Sequence, residues 1–345
     1  MSVITTFALY VLLIVRAANG GTLEARATSD SAHTTYPLPA EVVHEFPVGT
    51  WIENLAVRSN GLILATDVTN PRIYQVDPSN DTQDAVLVHE FSNTASILGI
   101  IETSPDVFYV CSANETAAKT TDDRQAYIYR VDMRHFLPDC PGSAEVETIA
   151  KLPNAAVLDG IEWLGGDFER SKLLLVSDFG LGVIYSVNID TGAVEVAINS
   201  TYTRYNGYQV NGLKIRKQKL YFTNTGQETL VSVPINSRGE TVGKYTVLAE
   251  GGFIPDDFAM DAGGDFYVTS ITAGRNGIAF IPREGGNATM LAGMGGPTGA
   301  AFGRTARDRN ILYVSTSGGD EAYNTGEPVT VSGKILKVAV GRTSF

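Results

Sequence analysis

Four residues of this 345-residue chain have types and spacing suited to joint chemistry: Glu53, Asp159, Asn211 and Asp256. Each opens a three-residue phrase of polar, small, apolar character. The phrases read Glu53-Asn54-Leu55, Asp159-Gly160-Ile161, Asn211-Gly212-Leu213 and Asp256-Asp257-Phe258. Two more, Leu98-Gly99-Ile100 and Thr298-Gly299-Ala300, follow the same plan with an apolar or hydroxyl leader. If all six converge on one axis, three carboxylates and one amide form a ring of oxygen donors. Such a set suits one divalent cation: Ca²⁺, Mg²⁺, Mn²⁺ or, through carboxylates, Zn²⁺. Crowded carboxylates raise one another's pKa, and a cation removes that cost. Without a cation, one carboxylate can be held protonated as an acid. Leu98 and Thr298 interrupt the oxygen set, leaving a polar cluster that faces a more apolar side.

The elements that position these residues repeat with them. The six leaders are 45, 61, 52, 45 and 42 positions apart, a propeller period. After each phrase come short strands dense in β-branched and aromatic residues, such as Phe108-Tyr109-Val110 and Leu220-Tyr221-Phe222. Asn60-Gly61 and Gly263-Gly264 supply tight turns. Helical periodicity is absent. The expected fold is all-β: a six-bladed β-propeller over residues 39–345. The strand Val42–Phe46 has no earlier blade, so it should complete the last one and close the ring. Longer stretches at 113–127 and 318–331 follow second strands and are candidate lids over one mouth.

Composition narrows the partners. The net charge is −12 and basic clusters are lacking, which argues against nucleic acid and anionic membranes. Residues 1–20 read as a signal peptide, with an apolar core at Ile4–Val15 and small residues at Ala17, Ala18 and Gly20. Residues 21–38 read as a flexible leader. Sequons at Asn80, Asn114, Asn199 and Asn287 fit the secretory pathway or an extracellular location, without stable membrane insertion after cleavage. Two cysteines, Cys111 and Cys140, suggest one disulfide in that setting. The histidines (His33, His44, His89 and His135) avoid the phrases, so a Ser-His-Asp triad has no base in place. Glycine pairs sit at turns and do not precede helices, which argues against phosphate cradling and an organic cofactor.

The repeats resemble the senescence-marker-protein/gluconolactonase family of six-bladed propellers, on Glu53, on Val210-Asn211-Gly212-Leu213 and on Pro255-Asp256-Asp257. That resemblance implies that Glu53, Asn211 and Asp256 bind one divalent metal. In the family's lactonases it also implies that Asp256 serves as base for water. Glu53-Asn54-Leu55 replaces the family's Glu-Gly-Pro, and Asp256-Asp257 replaces its Asp-Gly. Three further pieces resemble the secreted fungal branch that includes hetero-Diels-Alderases of tropolone–terpenoid biosynthesis. They are Glu45-Phe46-Pro47, Trp51-Ile52-Glu53-Asn54-Leu55-Ala56 and Ile73-Tyr74-Gln75-Val76-Asp77.

The leading expectation is therefore a secondary-metabolism enzyme that joins a quinone-methide-like diene to a terpene alkene. Such a reaction needs an apolar pocket and a polar group acting on the diene. Glu53, Asp159 and Asp256 are the candidate catalytic residues. Trp51, Leu98, Tyr208, Phe258 and Thr298 are candidate contacts for a largely apolar small molecule, and Arg204 is the cation expected nearby. A metal-dependent lactonase is the alternative, and a non-catalytic binding propeller the third reading.

Overall fold

The computed structural model describes residues 37–80, 84–113, 126–140, 142–271, 276–318 and 330–341. The signal segment, nearly all of the leader, Asn114 and most of both long insertions lie outside these residues. The described chain forms 24 strands and one short 3₁₀ turn at Leu164–Gly166. No helix among the described residues is long and apolar enough to cross a membrane.

The strands form six antiparallel sheets of four, each a blade. β1 (Ala40–Val48) lies apart in sequence from the sheet it completes. Blade one is β2 (Ile52–Val57), β3 (Ile63–Asp67), β4 (Arg72–Val76) and β5 (Val86–Glu90). Blade two is β6 (Ser96–Ser104), β7 (Val107–Ala113), β8 (Ala126–Asp132) and β9 (Glu145–Leu152). Blade three is β10 (Leu158–Trp163), β11 (Leu173–Asp178), β12 (Val183–Asn188) and β13 (Val194–Asn199). Blade four is β14 (Val210–Arg216), β15 (Lys219–Asn224), β16 (Thr229–Pro234) and β17 (Thr246–Glu250). Blade five is β18 (Pro255–Met260), β19 (Phe266–Ser270), β20 (Gly277–Ile281) and β21 (Thr289–Gly293). Blade six is β22 (Pro297–Phe302), β23 (Ile311–Thr316) and β24 (Ser332–Ala339), completed by β1. Ala40 pairs with Val338 and Val48 with Ser332, so the ring closes as expected.

The core is divided among six apolar clusters, one at each blade–blade interface. Strands sandwiched between neighbours, such as β3, β7 and β19, are buried at every residue, whereas the outer β13 buries one residue of six. This explains the apolar runs of the middle strands and the mixed character of the outer ones. The twice-used phrase Val-His-Glu-Phe also has a packing role. His44 and His89 meet Phe46 and Phe91 edge-on, and those rings pack on Tyr74 and Tyr129 of the next blade.

The recurring phrases lie inside the first strands. In all six, the ladder to the second strand shifts register across the first two phrase residues, between Ile52 and Leu55 in blade one and at matching places elsewhere. A bulge at this point re-aims side chains.

A ring of side chains on the second strands ties these bulges together. Thr66 donates to the Leu98 carbonyl at 2.5 Å, Ser177 to Asn211 at 2.6 Å and Thr223 to Asp256 at 2.5 Å. Thr269 donates to Thr298 at 2.7 Å, and Ser315 to Glu53 at 3.1 Å. The sixth member is Cys111, whose thiol donates to the Asp159 carbonyl at 2.9 Å. Each group thus joins its own blade to the leader of the next.

This placement corrects the expected disulfide. Cys111 is a free, fully buried thiol and Cys140 a free, exposed one. Cys111 pairs with Ile128 across β7 and β8, whereas Cys140 follows the far end of β8, past the Val107–Asp132 pair. Four ladder steps already span about 13 Å, well beyond the reach of an S–S bond. Three sequon asparagines, Asn80, Asn199 and Asn287, are exposed. Asn199 is the last residue of the outer strand β13.

Candidate functional site

The bulged leaders of blades one, three and five bring Glu53, Asp159 and Asp256 together on the axis. One carboxylate oxygen from each lies within 4.8 Å of the others. All three are buried, with exposures of 6%, 6% and 9%. Asn211 stands between Asp159 and Asp256 in ring order and is 4% exposed. Its Nδ2 donates to Asp256 Oδ1 at 2.7 Å and to Thr225 Oγ1 at 3.3 Å. The Trp51 indole N–H donates to Glu53 Oε2 at 2.5 Å.

The electrostatics follow from burial and crowding. Glu53 is pushed well above the usual carboxylate range by burial, then by the nearby Asp256 and Asp159, against the Trp51 hydrogen bond. Burial, with Asp257 behind it, lifts Asp159 to about 7. The ring therefore holds protons on carboxyl groups at neutral pH, and those groups can donate hydrogen bonds. The same donors suit a hard divalent cation. Asn211 Oδ1 is buried without a hydrogen-bond partner, beside three carboxylates, and a cation would satisfy both conditions.

The proposed substrate contacts separate into two groups. Trp51 and Tyr208 are half-buried at the end of the ring where the phrases start, and Tyr208 packs on Phe179 with centroids 5.5 Å apart. Leu98 is a ring leader, 7% exposed, packed into the cluster between blades two and three. Phe258 and Thr298 are not open contacts. Phe258 follows the bulge, so it turns into the cluster between blades four and five with no exposed surface. The Thr298 hydroxyl is fully buried and donates to the Ile52 carbonyl at 2.7 Å. Arg204 is exposed and lies beside Gly182. Among the described residues, the cation paired with a phrase carboxylate is Lys214, 3.2 Å from Asp257.

Lys214 belongs to a second ring, three positions beyond each leader: Ala56, Ile101, Glu162, Lys214, Ala259 and Ala301. Four of these residues, with Met260 and Phe302, line a cavity of about 360 Å³ at the opposite mouth. Burial there raises Glu162 to about 7, against the pull of Lys214. The offset of three from each leader is the sequence signal that could have found Glu162 and Lys214. Asp67 and Asp178, which end second strands, have structural roles and accept from turn N–H groups.

Comparison with known proteins agrees with this architecture. No family model matches the chain. A protein of Sarocladium schorii named "Putative hetero-Diels-Alderase asR5" is 32% identical over 85% of this chain and 81% of its own length. A second, from Phoma sp and named "Putative hetero-Diels-Alderase", is 26% identical over 96% of this chain and 98% of its own. Among solved structures, a luciferin-regenerating enzyme aligns with a TM-score of 0.63 at 15% identity, over 89% of this chain and 96% of that one. A calcium-binding protein, regucalcin from Agrobacterium tumefaciens, aligns with a TM-score of 0.61 at 15% identity, over 90% and 98%. The structural neighbours share the fold, whereas the sequence relatives share most of the chain. On that identity across nearly the whole propeller, this chain belongs to the family of the hetero-Diels-Alderase-type six-bladed propellers.

Proposed function

We propose that this enzyme joins a quinone-methide-like heterodiene to a terpene alkene above the carboxylate ring. The observation that supports it most is the 32% identity with a protein named as a hetero-Diels-Alderase. The site supplies what the reaction needs. A protonated Glu53 or Asp159 donates a hydrogen bond to the carbonyl of the diene and draws electrons from it. The same acid assists formation of the diene: as a benzylic C–O bond breaks, its proton leaves with the hydroxyl as water. The ring carboxylate then takes the proton of the neighbouring enol or phenol oxygen, which restores the acid. Trp51, Tyr208 and Phe179 offer apolar surface at the mouth where the phrases start. Holding two partners there contributes by proximity, up to roughly 7 kcal/mol or more. The substrate would then be a largely apolar small molecule.

The test is incubation of purified protein with a quinone-methide precursor and a humulene-type alkene. Adduct should form faster than in buffer and with one stereochemistry. Yield and stereochemistry equal to buffer would sink the reading.

The donor set favours a second reading, a metal-dependent lactonase. Glu53, Asn211 and Asp256, with Asp159 beside them, would hold a divalent cation. Such an ion supplies Lewis acidity toward a bound carbonyl. In that reading Asp256 takes the proton from water. Hydrolysis of a lactone panel, lost on Asp256→Asn, would support it, and an unopened panel would exclude it. We also propose passage through the secretory pathway, supported by the exposed sequons at Asn80, Asn199 and Asn287. A glycosidase that leaves the gel mobility of the native protein unchanged would refute that.

A further inference from the structure

We infer that Asn54, Asp257 and Lys214 form a latch below the carboxylate ring that positions Glu53 and Asp256. This rests on the reading of the ring as the reacting site. The second phrase residue is glycine in four blades, and Asn54 and Asp257 are the exceptions. Asn54 Nδ2 donates to Asp257 Oδ2 at 2.9 Å. Lys214 Nζ lies 3.2 Å and 3.5 Å from the two Asp257 oxygens and 5.5 Å from the centroid of the Phe258 ring. Side chains from blades four, five and one are thereby joined past the phrase of blade six.

Neighbouring glycines make the room. A Cβ on Gly299 would stand 3.0 Å from both Cα and Oδ1 of Asn54. A Cβ on Gly212 would collide with Asp257 Oδ1. Glycine and non-glycine therefore alternate through blades four, five, six and one, and each exception leans over a glycine. Asn54 Oδ1 also accepts from the Leu55 N–H at 2.8 Å, so both ends of the amide are used.

The latch acts through covalent neighbours. Asn54 follows Glu53 and Asp257 follows Asp256. Bonding the two side chains fixes the peptides that carry the two ring carboxylates. Lys214 gives the buried Asp257 a partner, without which the axis would hold another unpaired charge. Asn54, Asp257 and Lys214 are positioning residues.

The chain has two tryptophans, so a Trp163→Phe background leaves Trp51 alone as reporter. Trp163 Nε1 is buried without a partner, and phenylalanine removes that unmatched donor. The Trp51 indole bonds Glu53 directly, so its emission reads the carboxylate position. In this background we would compare Asn54→Gly, Lys214→Met, Lys214→Arg and Glu53→Gln by thermal melting, Trp51 emission and cycloaddition kinetics. Asn54→Gly and Lys214→Met should melt cooperatively, shift Trp51 emission and lower kcat about tenfold with KM nearly unchanged. Lys214→Arg should recover most of both signals. The inference is overturned if Glu53→Gln stops turnover while Asn54→Gly and Lys214→Met match the parent in emission and kcat. If Glu53→Gln leaves turnover intact, the reading of the ring has failed. Emission alone then decides the latch, and an unshifted spectrum ends it. Should Lys214→Met not fold, Asn54→Gly decides.

Discussion

Asp159→Asn should make the protein more stable at alkaline pH, because it removes an ionisation that the fold opposes. Burial beside Asp257 lifts Asp159 from 3.8 to about 7. Its folded pKa lies above its unfolded one. The stability it contributes is therefore complete below about pH 4 and is lost as pH rises toward about 7. From about pH 5 to pH 8 the loss is about 2–3 kcal/mol. For a chain of this size that corresponds to roughly 3–5 °C in melting temperature. Asparagine keeps the shape and polarity of the side chain but cannot ionise. The assay is thermal unfolding across that pH range, in the presence of a chelator. Wild type should lose stability steadily. The variant should follow a flatter curve and melt higher than wild type at pH 8. Parallel curves would refute the reasoning, because Asp159 would then titrate as an ordinary carboxylate. Added Ca²⁺ should raise wild type at pH 8 more than the variant, since a cation offsets the repulsion that asparagine deletes.

Three more expectations follow from the same geometry. Glu53→Gln should lower cycloaddition turnover by about 100-fold or more, measured as initial rate at saturating alkene, and an unchanged rate would remove Glu53 from the chemistry. Asn211→Leu should weaken Mn²⁺ binding about tenfold or more by calorimetry, and equal affinity would dissolve the donor set. Cys111→Ser should stay within about 1 kcal/mol of wild-type stability, since five blades already use a hydroxyl there. Reducing agent should not move the wild-type melt, and a reductant-dependent shift would contradict a free thiol.

The six phrases are legible in the sequence because close approach leaves a signature. At Gly99 a Cβ would strike the Asp159 carbonyl of the next blade, and such constraints recur around the ring. The outer strand Val194–Asn199 is likewise readable, because its ladder spans the same residues as its apolar pattern. What the sequence hides is pairing across the ring. Asn54 and Asp257 stand out as departures, but 203 positions separate the partners of their bond. Cys111 reads as half of a disulfide because its true partner is a backbone carbonyl of another blade, which carries no residue signal. Phe258 and Thr298 are misread for a third reason. Nearness to a phrase does not fix where a side chain goes: Phe258, just past the bulge, turns into an interblade cluster, and the short Thr298 hydroxyl is taken up by the Ile52 carbonyl.

The pairing of β1 with β24 also governs when this molecule can be finished during its synthesis. Blades one to five each draw on a contiguous run and can form as they leave the ribosome. The last sheet must wait while its first-made strand stays unpartnered, with exposed backbone groups that invite pairing with other chains. Completion is thus a late, long-range event, slow for the entropy it must overcome. Once shut, the circle has no loose blade from which unravelling can start, so its lifetime should depend on how rarely one strand peels away.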